Sequence, residues 1–251
     1  MNPVAFTIFG LEVRWYGIFI ALGVFLGFVF ALRLVKKSDQ VNEDMLTDFG
    51  TLAIIFGVLG ARLYYVIFSW DYYGQHLNEV LSIRNGGLAI HGGILAGILV
   101  GLVYTRIKKV SFFEMADLVA PSLALGQSIG RWGNYANQEA HGGPTNLPWA
   151  IEVQGVMVHP TFLYESLWTL GIFLFLYFYL AKRRKFRGQL FSLYLVLYSL
   201  ARFFIEGLRT DSLYWGPLRV AQLVSLLGIG VGLALYFILK NRKEGKDLTL
   251  K

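Results

Sequence analysis

Apolar residues along this chain gather in seven runs, each closed by a polar or glycine-rich segment. They cover Trp15 to Val35, Phe49 to Trp70, Leu88 to Tyr104, Ala116 to Gly130, Phe162 to Ala181, Leu190 to Gly207 and Leu218 to Leu239. Crossing a bilayer as a helix takes about 20 residues, and the runs reach or approach that length. The fourth is the shortest and is interrupted by Pro121. The pattern predicts an all-α integral membrane protein of seven transmembrane helices, with the termini on opposite sides. No linker, low-complexity tract or repeat of 20 to 50 residues interrupts it. Residues 1–251 are therefore expected to form a single polytopic membrane domain, with an outward-facing candidate functional region in the loop 131–161.

Charge orients the prediction. Basic residues follow the first run (Arg33, Lys36, Lys37), the third (Arg106, Lys108, Lys109), the fifth (Lys182 to Lys185, Arg187) and the last (Lys240, Arg242, Lys243, Lys246, Lys251), and these positions hold 16 of the 23 Lys and Arg. Excess Lys/Arg marks the cytoplasmic side, which puts the N-terminus outside and the C-terminus in the cytoplasm. The first run carries its positive charges after it, opposite to a cleavable signal peptide, so it stays as a span. A net charge of +7 divided among short loops sets topology and argues against a nucleic-acid face. Hydrophobic residues make up 55% of the chain and charged ones 16%, too apolar for a soluble domain. With no cysteine, the chain can form no disulfide and has no thiol nucleophile of its own.

Positive-inside bias should strip the outer side of cations, yet Arg14, Arg84, Arg131, Arg209 and Arg219 fall there, and Arg62 and Arg202 fall within spans. The absence of lysine among these seven favours planar, two-point recognition of a phosphate or a fixed carboxylate. An arginine near the middle of a lone helix costs about 2.5 to 3.5 kcal/mol, so Arg202 needs compensation. Helical spacing places Tyr198, Arg202, Glu206 and Arg209 on one stripe facing the bundle interior. That stripe serves either a functional site or a structural Arg202–Glu206 pair.

His91 stands in a glycine-rich stretch, Gly86 to Gly97, at the outer end of the third run. An imidazole titrates in the range useful for proton transfer, so His91 is a candidate general base. A neutral core histidine bonded to a carbonyl is the alternative. Gly93, Gly97 and Gly101 form a small-residue ridge that points to helix packing. His76, His91, His141 and His159 lack metal-ligand spacing, and P-loop, dinucleotide and GxSxG signatures are missing; no metal or other cofactor is expected. Trp15, Trp70, Trp132 and Trp149 at run ends fit interfacial belts.

The stretch from Gly130 to Gly143 concentrates one cation, one carboxylate, amides, an imidazole and glycines at the end of an apolar run. Read alone it also suits a turn. Taken with the His91-Gly92-Gly93 element, Arg14-Trp15-Tyr16-Gly17, His159-Pro160-Thr161 with Tyr164-Glu165, and the Tyr198 to Arg209 stripe, its GRxGNxxNxExxG pattern closely resembles the prolipoprotein diacylglyceryl transferase family. The resemblance covers nearly the whole chain in family order. Tyr135 and Ala136 depart from the residues usual there.

The resemblance implies an enzyme of the bacterial cytoplasmic membrane. It would transfer the sn-1,2-diacylglyceryl group of phosphatidylglycerol to the lipobox cysteine of a prolipoprotein signal peptide, forming a thioether and releasing glycerol 1-phosphate. It also implies catalytic roles for Arg131 and Arg202 at the phosphate and His91 as proton acceptor, with Tyr16 a second acceptor or a head-group donor. Asn134, Glu139 and Gly142 would bind or shape the head-group site, and Glu206, Tyr198 and Arg209 would support it. A transporter for organic phosphates or other anions is the competing class, disfavoured by the lack of an inverted repeat.

Overall fold

The computed structural model describes residues 2–83 and 86–242. Arg84, one of the expected outer arginines, and the tail residues Lys243, Lys246 and Lys251 lie outside the described residues.

The chain is mostly helical. The first long helix, α1, spans Trp15–Val35, α2 Glu43–Phe68, the short α3 Trp70–Tyr73, α4 Ile90–Lys108 and α5 Phe112–Asn137. Next come α6 at Thr161–Leu174, α7 at Gln189–Glu206 and α8 at Val220–Asn241. Six helices among the described residues are long and apolar enough to cross a membrane: α1, α2, α4, α7, α8, and α6 with its extension to Arg183. The extension is a π-helical stretch, Phe175–Leu180, followed by a single 3-10 turn.

The fourth expected run is also a helix, but α5 is 26 residues long and more polar. Leu118, Ala120 and Ala124 are fully buried in it. A helix shielded in this way is free to carry polar residues that lipid contact would penalise. Pro121 is accommodated inside it. The helix runs on through Asn137, so the loop expected from 131 starts only after that residue, and Arg131 and Asn134 sit on the last helical turns.

Among the described residues there are also three two-stranded antiparallel hairpins, which helical periodicity cannot foresee: β1 (Val4–Ile8) with β2 (Leu11–Arg14), β3 (Ile151–Val153) with β4 (Val156–Val158), and β5 (Tyr214–Trp215) with β6 (Leu218–Arg219). The turn of β3–β4 places both Gln154 and Gly155 at positive φ, the geometry that matches the twist of a tight hairpin.

The chain divides into two compact units, residues 1–37 with 116–251, and residues 38–115. In the first, α6 packs on α7 and α7 on α8. Gly23 and Gly27 of α1 face Gly126 and Ser122 of α5, and Ser122 donates to the Gly27 carbonyl at 2.7 Å. In the second unit α2 packs along α4. A Cβ at Gly60 would lie 2.5 Å from Ala96 Cβ and 2.8 Å from the Gly92 carbonyl oxygen, so backbones touch at this crossing. The small-residue ridge is thus Gly57 and Gly60 against Gly92 and Gly93, whereas Gly97, expected in it, meets nothing within 4 Å.

Candidate active site

Within the first unit, the starts of α1, α6 and α8 and the ends of α5 and α7 meet at one end. Packing of α1 on α5, of α6 on α7 and of α7 on α8 brings this about, and the signature residues of this unit lie at or next to those helix ends. Glu165, in the first turns of α6, is the centre of the group. Its side chain is 5% exposed and takes Arg131 on Oε2 and Arg202 on Oε1, the latter at 2.9 Å. Arg209 reaches Oε1 at 3.5 Å.

Arg202 also lies 2.7 Å from Glu206 Oε2, the i, i+4 pair expected from the sequence. Glu206 is buried, and its backbone carbonyl accepts from Arg219 at the end of β6. The expected helical stripe holds for Arg202 and Glu206. Arg209 lies past the end of α7 and returns to the cluster through the following turn, 3.9 Å from Glu206. Its guanidinium is held in two-point fashion by Asp211, at 2.9 and 2.6 Å. Burial alone would lower the Arg209 pKa, but the Asp211 bonds and the charges of Asp211, Glu165 and Glu206 raise it above its ordinary value. Burial likewise works to raise Asp211, and the Arg209 bonds and charge outweigh it and hold the carboxyl below its ordinary range. Tyr198, one turn before Arg202, stacks on Tyr194 with centroids 5.9 Å apart.

A second row of bonds extends along α5. Arg131 donates to Asn134 Oδ1 at 3.5 Å, and Asn134 donates to Glu139 at 3.0 Å. Asn137 adds a bond to the same Glu139 oxygen. The turn after α5 puts Gln138 and Ala140 in the left-handed region, uncommon for residues with a Cβ. A cavity of 270 Å³ opens beside Asn134 and Glu139, with His141, Val153 and Phe162 among its walls.

Two glycines of the signature are required by close approach. A Cβ at Gly133 would lie 2.5 Å from the Tyr16 ring, so the start of α1 can rest on α5 only where this residue is glycine. A Cβ at Gly142 would lie 2.6 Å from His159 Cβ and 3.0 Å from the Leu208 carbonyl oxygen. Gly142 and Gly143 thread between two backbones, bonding His159 and Leu208 at 2.9 and 3.0 Å. Thr161 ties the same loop by donating to the Ala140 carbonyl.

His91 belongs to the second unit. It stands at the start of α4, exposed, its ring 6.1 Å from that of Tyr64. Among the described residues its ring has no hydrogen bond, which departs from the carbonyl-bonded core histidine that was the alternative reading.

The outer and intramembrane arginines do not share one kind of partner. Arg131, Arg202 and Arg209 meet carboxylates, and Arg14 pairs with Glu12 at the surface, 3.6 Å away. Arg62 departs from the expected phosphate or carboxylate. It is buried in α2 and donates to four carbonyls, those of Glu79, Val80, Gly86 and Gly87, at 2.7 to 3.1 Å.

The sequence alone gives Glu165 no role and does not single out Asp211. The signal for Glu165 was available: it is the lone carboxylate in the run from Phe162 to Ala181, and an intramembrane charge calls for a partner.

Buried carboxylates fix the inner edges of Arg131 and Arg202, whose side chains stay 21% and 20% exposed. Guanidinium groups held this way present fixed positive charge to an anion without having to reorganise. The sequence model of the family described as prolipoprotein diacylglyceryl transferase matches residues 3–238. Among similar proteins, the phosphatidylglycerol–prolipoprotein diacylglyceryl transferase of Clostridioides difficile is 50% identical over 97% of this chain and 98% of its own length. That of Finegoldia magna is 52% identical, covering 97% of each chain. That of Acaryochloris marina is 49% identical over 99% of this chain and 96% of its own. The chain belongs to the prolipoprotein diacylglyceryl transferase family.

Proposed function

We propose that this chain transfers the sn-1,2-diacylglyceryl group of phosphatidylglycerol to the cysteine thiol of a prolipoprotein lipobox. The observation that carries the reading is the set of three arginines gathered on Glu165, in a chain whose relatives are named for this transfer. In the reaction the thiol loses its proton, and the sulfur attacks the glyceryl carbon that bears the phosphate. That carbon's bond to the phosphate oxygen breaks, and the electron pair leaves with glycerol 1-phosphate. A thiol with an ordinary pKa near 8.5 attacks only as thiolate, so a base or a positive field must assist.

Arg131 and Arg202 suit the phosphate, where charge grows as the bond breaks, with Glu206 fixing Arg202 from behind and Arg209 paired to the same Glu165 and Glu206. Asn134 and Glu139, which border the cavity, are assigned to the head group, with Glu139 either orienting an arginine or accepting a glycerol hydroxyl. Gly142 shapes the loop beside it. His91 is the leading proton acceptor, and Tyr16 a second one or a donor to the head group; Tyr198 supports Arg202 from the preceding turn. In this reading α5 is the seventh crossing, the N-terminus lies outside, the C-terminus is cytoplasmic, and 1–251 works as one domain of the bacterial cytoplasmic membrane. Phosphatidylglycerol and a signal peptide are its partners, with no cofactor and no nucleic acid. The anion-transporter reading gains nothing from the relatives named above.

Mass spectrometry of a lipobox peptide incubated with the purified protein and phosphatidylglycerol tests the proposal. One diacylglyceryl group on the cysteine, with glycerol phosphate released, is the expected result; an unmodified peptide beside a reacting control overturns it. In the same assay His91→Gln should lose most transfer while retaining phosphatidylglycerol binding, and unchanged turnover would remove His91 from the role of base.

A further inference from the structure

The basic end of the first unit holds a second cavity, of 190 Å³, between the end of α1 and the extension of α6. Arg33, Lys37 and Lys182 line it together with Tyr177 and Phe178. Its walls contain three cations and no carboxylate. Among the described residues none of the three has an ion-pair partner, in contrast with nearby Arg184, which is buried against Asp117 at 3.3 Å. Three like charges around one small space repel one another, and an anion inserted among them relieves that repulsion.

The aromatic side of the cavity is built by a backbone irregularity. Tyr177 and Phe178 lie in the π-helical stretch, whose extra residue per turn is costly and tends to mark functional places. Tyr177 is fixed edge-on against Phe30, centroids 5.1 Å apart, and the Arg33 guanidinium lies over the same Phe30 ring at 5.5 Å. One cation and the aromatic wall therefore share a rigid support. Beside it, Phe178 is 49% exposed on a helix apolar enough to cross a membrane.

We propose that this cavity binds the phosphate of an anionic phospholipid, with Arg33, Lys37 and Lys182 on the phosphate and Tyr177 and Phe178 against the glycerol and first acyl carbons. The apolar wall selects a lipid over free phosphate. The site is distinct from the arginine cluster: Tyr16 and Arg33 lie near opposite ends of α1, about 25 Å apart at a rise of 1.5 Å per residue. A basic pocket at the cytoplasmic ends of spans is where anionic head groups are held in membrane proteins.

The test uses the full chain purified in detergent, with cardiolipin, phosphatidylcholine or inorganic phosphate added, read by native mass spectrometry and thermal unfolding. Cardiolipin should leave a retained adduct and raise Tm by several degrees, and phosphatidylcholine and inorganic phosphate should do neither. The variant Arg33→Gln/Lys37→Gln/Lys182→Gln should lose the adduct and the shift while keeping its transfer activity. Should that variant fail to fold, the single changes Arg33→Gln and Lys182→Gln should each reduce the shift by about half. A cardiolipin adduct and shift unchanged by these substitutions, or an equal shift from inorganic phosphate, overturns the proposal.

Discussion

Arg202 of α7 donates to Glu165 of α6 at 2.9 Å from within an apolar helix, while Arg131 of α5 holds the other oxygen of the same carboxylate. One buried anion thereby joins three helices. Removing one member of a buried ion pair costs about 3 to 5 kcal/mol, because the partner charge is left uncompensated.

Glu165→Ala should therefore lower stability by about that amount and abolish transfer. Glu165→Gln keeps the shape but not the charge, so it should fold and lose at least tenfold in kcat/KM. Thermal unfolding in detergent and a phosphatidylglycerol titration separate the two losses. A fully active Glu165→Gln protein would show that the arginines need no fixed carboxylate.

The long apolar runs were legible in the sequence because lipid exposure imposes its own signature, and the observed helix limits differ from them by a few residues at most ends. Even the Arg202–Glu206 pair followed from i, i+4 spacing. The partnership of Arg131, Arg202 and Arg209 through Glu165 did not, since it joins α5, α6 and α7 and no periodicity within one helix encodes it. The hairpins stayed hidden for a related reason: Val4–Ile8 and Ile151–Val153 are too short for alternation to stand out. For Arg62, the sequence announced a buried cation but could not announce that its partners would be carbonyls, which every residue carries.

Gly133→Ala offers a test of the link between Tyr16 and the signature helix. The added methyl would lie 2.5 Å from the Tyr16 ring, and overpacking of this kind costs about 1 to 3 kcal/mol. The ring should be displaced and transfer should fall. In the double variant Gly133→Ala/Tyr16→Ala the alanine at 133 should cost nothing beyond Tyr16→Ala alone. Additive losses in that cycle would place the effect of Gly133 elsewhere.

The Arg209–Asp211 pair sets an expectation for pH. Asp211 is held below its ordinary range, so its contribution is fully present above about pH 4 and is lost only as pH falls through the lowered value. Arg209 is raised, so its contribution is present below its ordinary value and fades only at pH far above the working range. The pair is thus charged throughout pH 5.5 to 9. Asp211→Asn should lower kcat/KM by one constant factor across that window without moving either limb of the profile. A displaced acid limb would show that Asp211 titrates in the working range.

Arg62 governs the second unit in a different way. Its guanidinium joins the carbonyls of Glu79 and Val80 to those of Gly86 and Gly87, gathering the segment that leads into α4 and His91. Its charge sits 5.0 Å from the Tyr73 ring, which adds a cation–π contact. Hydrogen bonds to a charged group are worth about 1.5 to 3 kcal/mol each and are not additive. Lysine has one nitrogen in place of a planar fork and cannot serve four acceptors. Arg62→Lys should lower Tm and expose residues 77–83 to protease while leaving α2 helical. Transfer should fall with it, because the start of α4 loses its tether. Protection from protease equal to the parent chain would show that the carbonyl bonds are not what holds this segment.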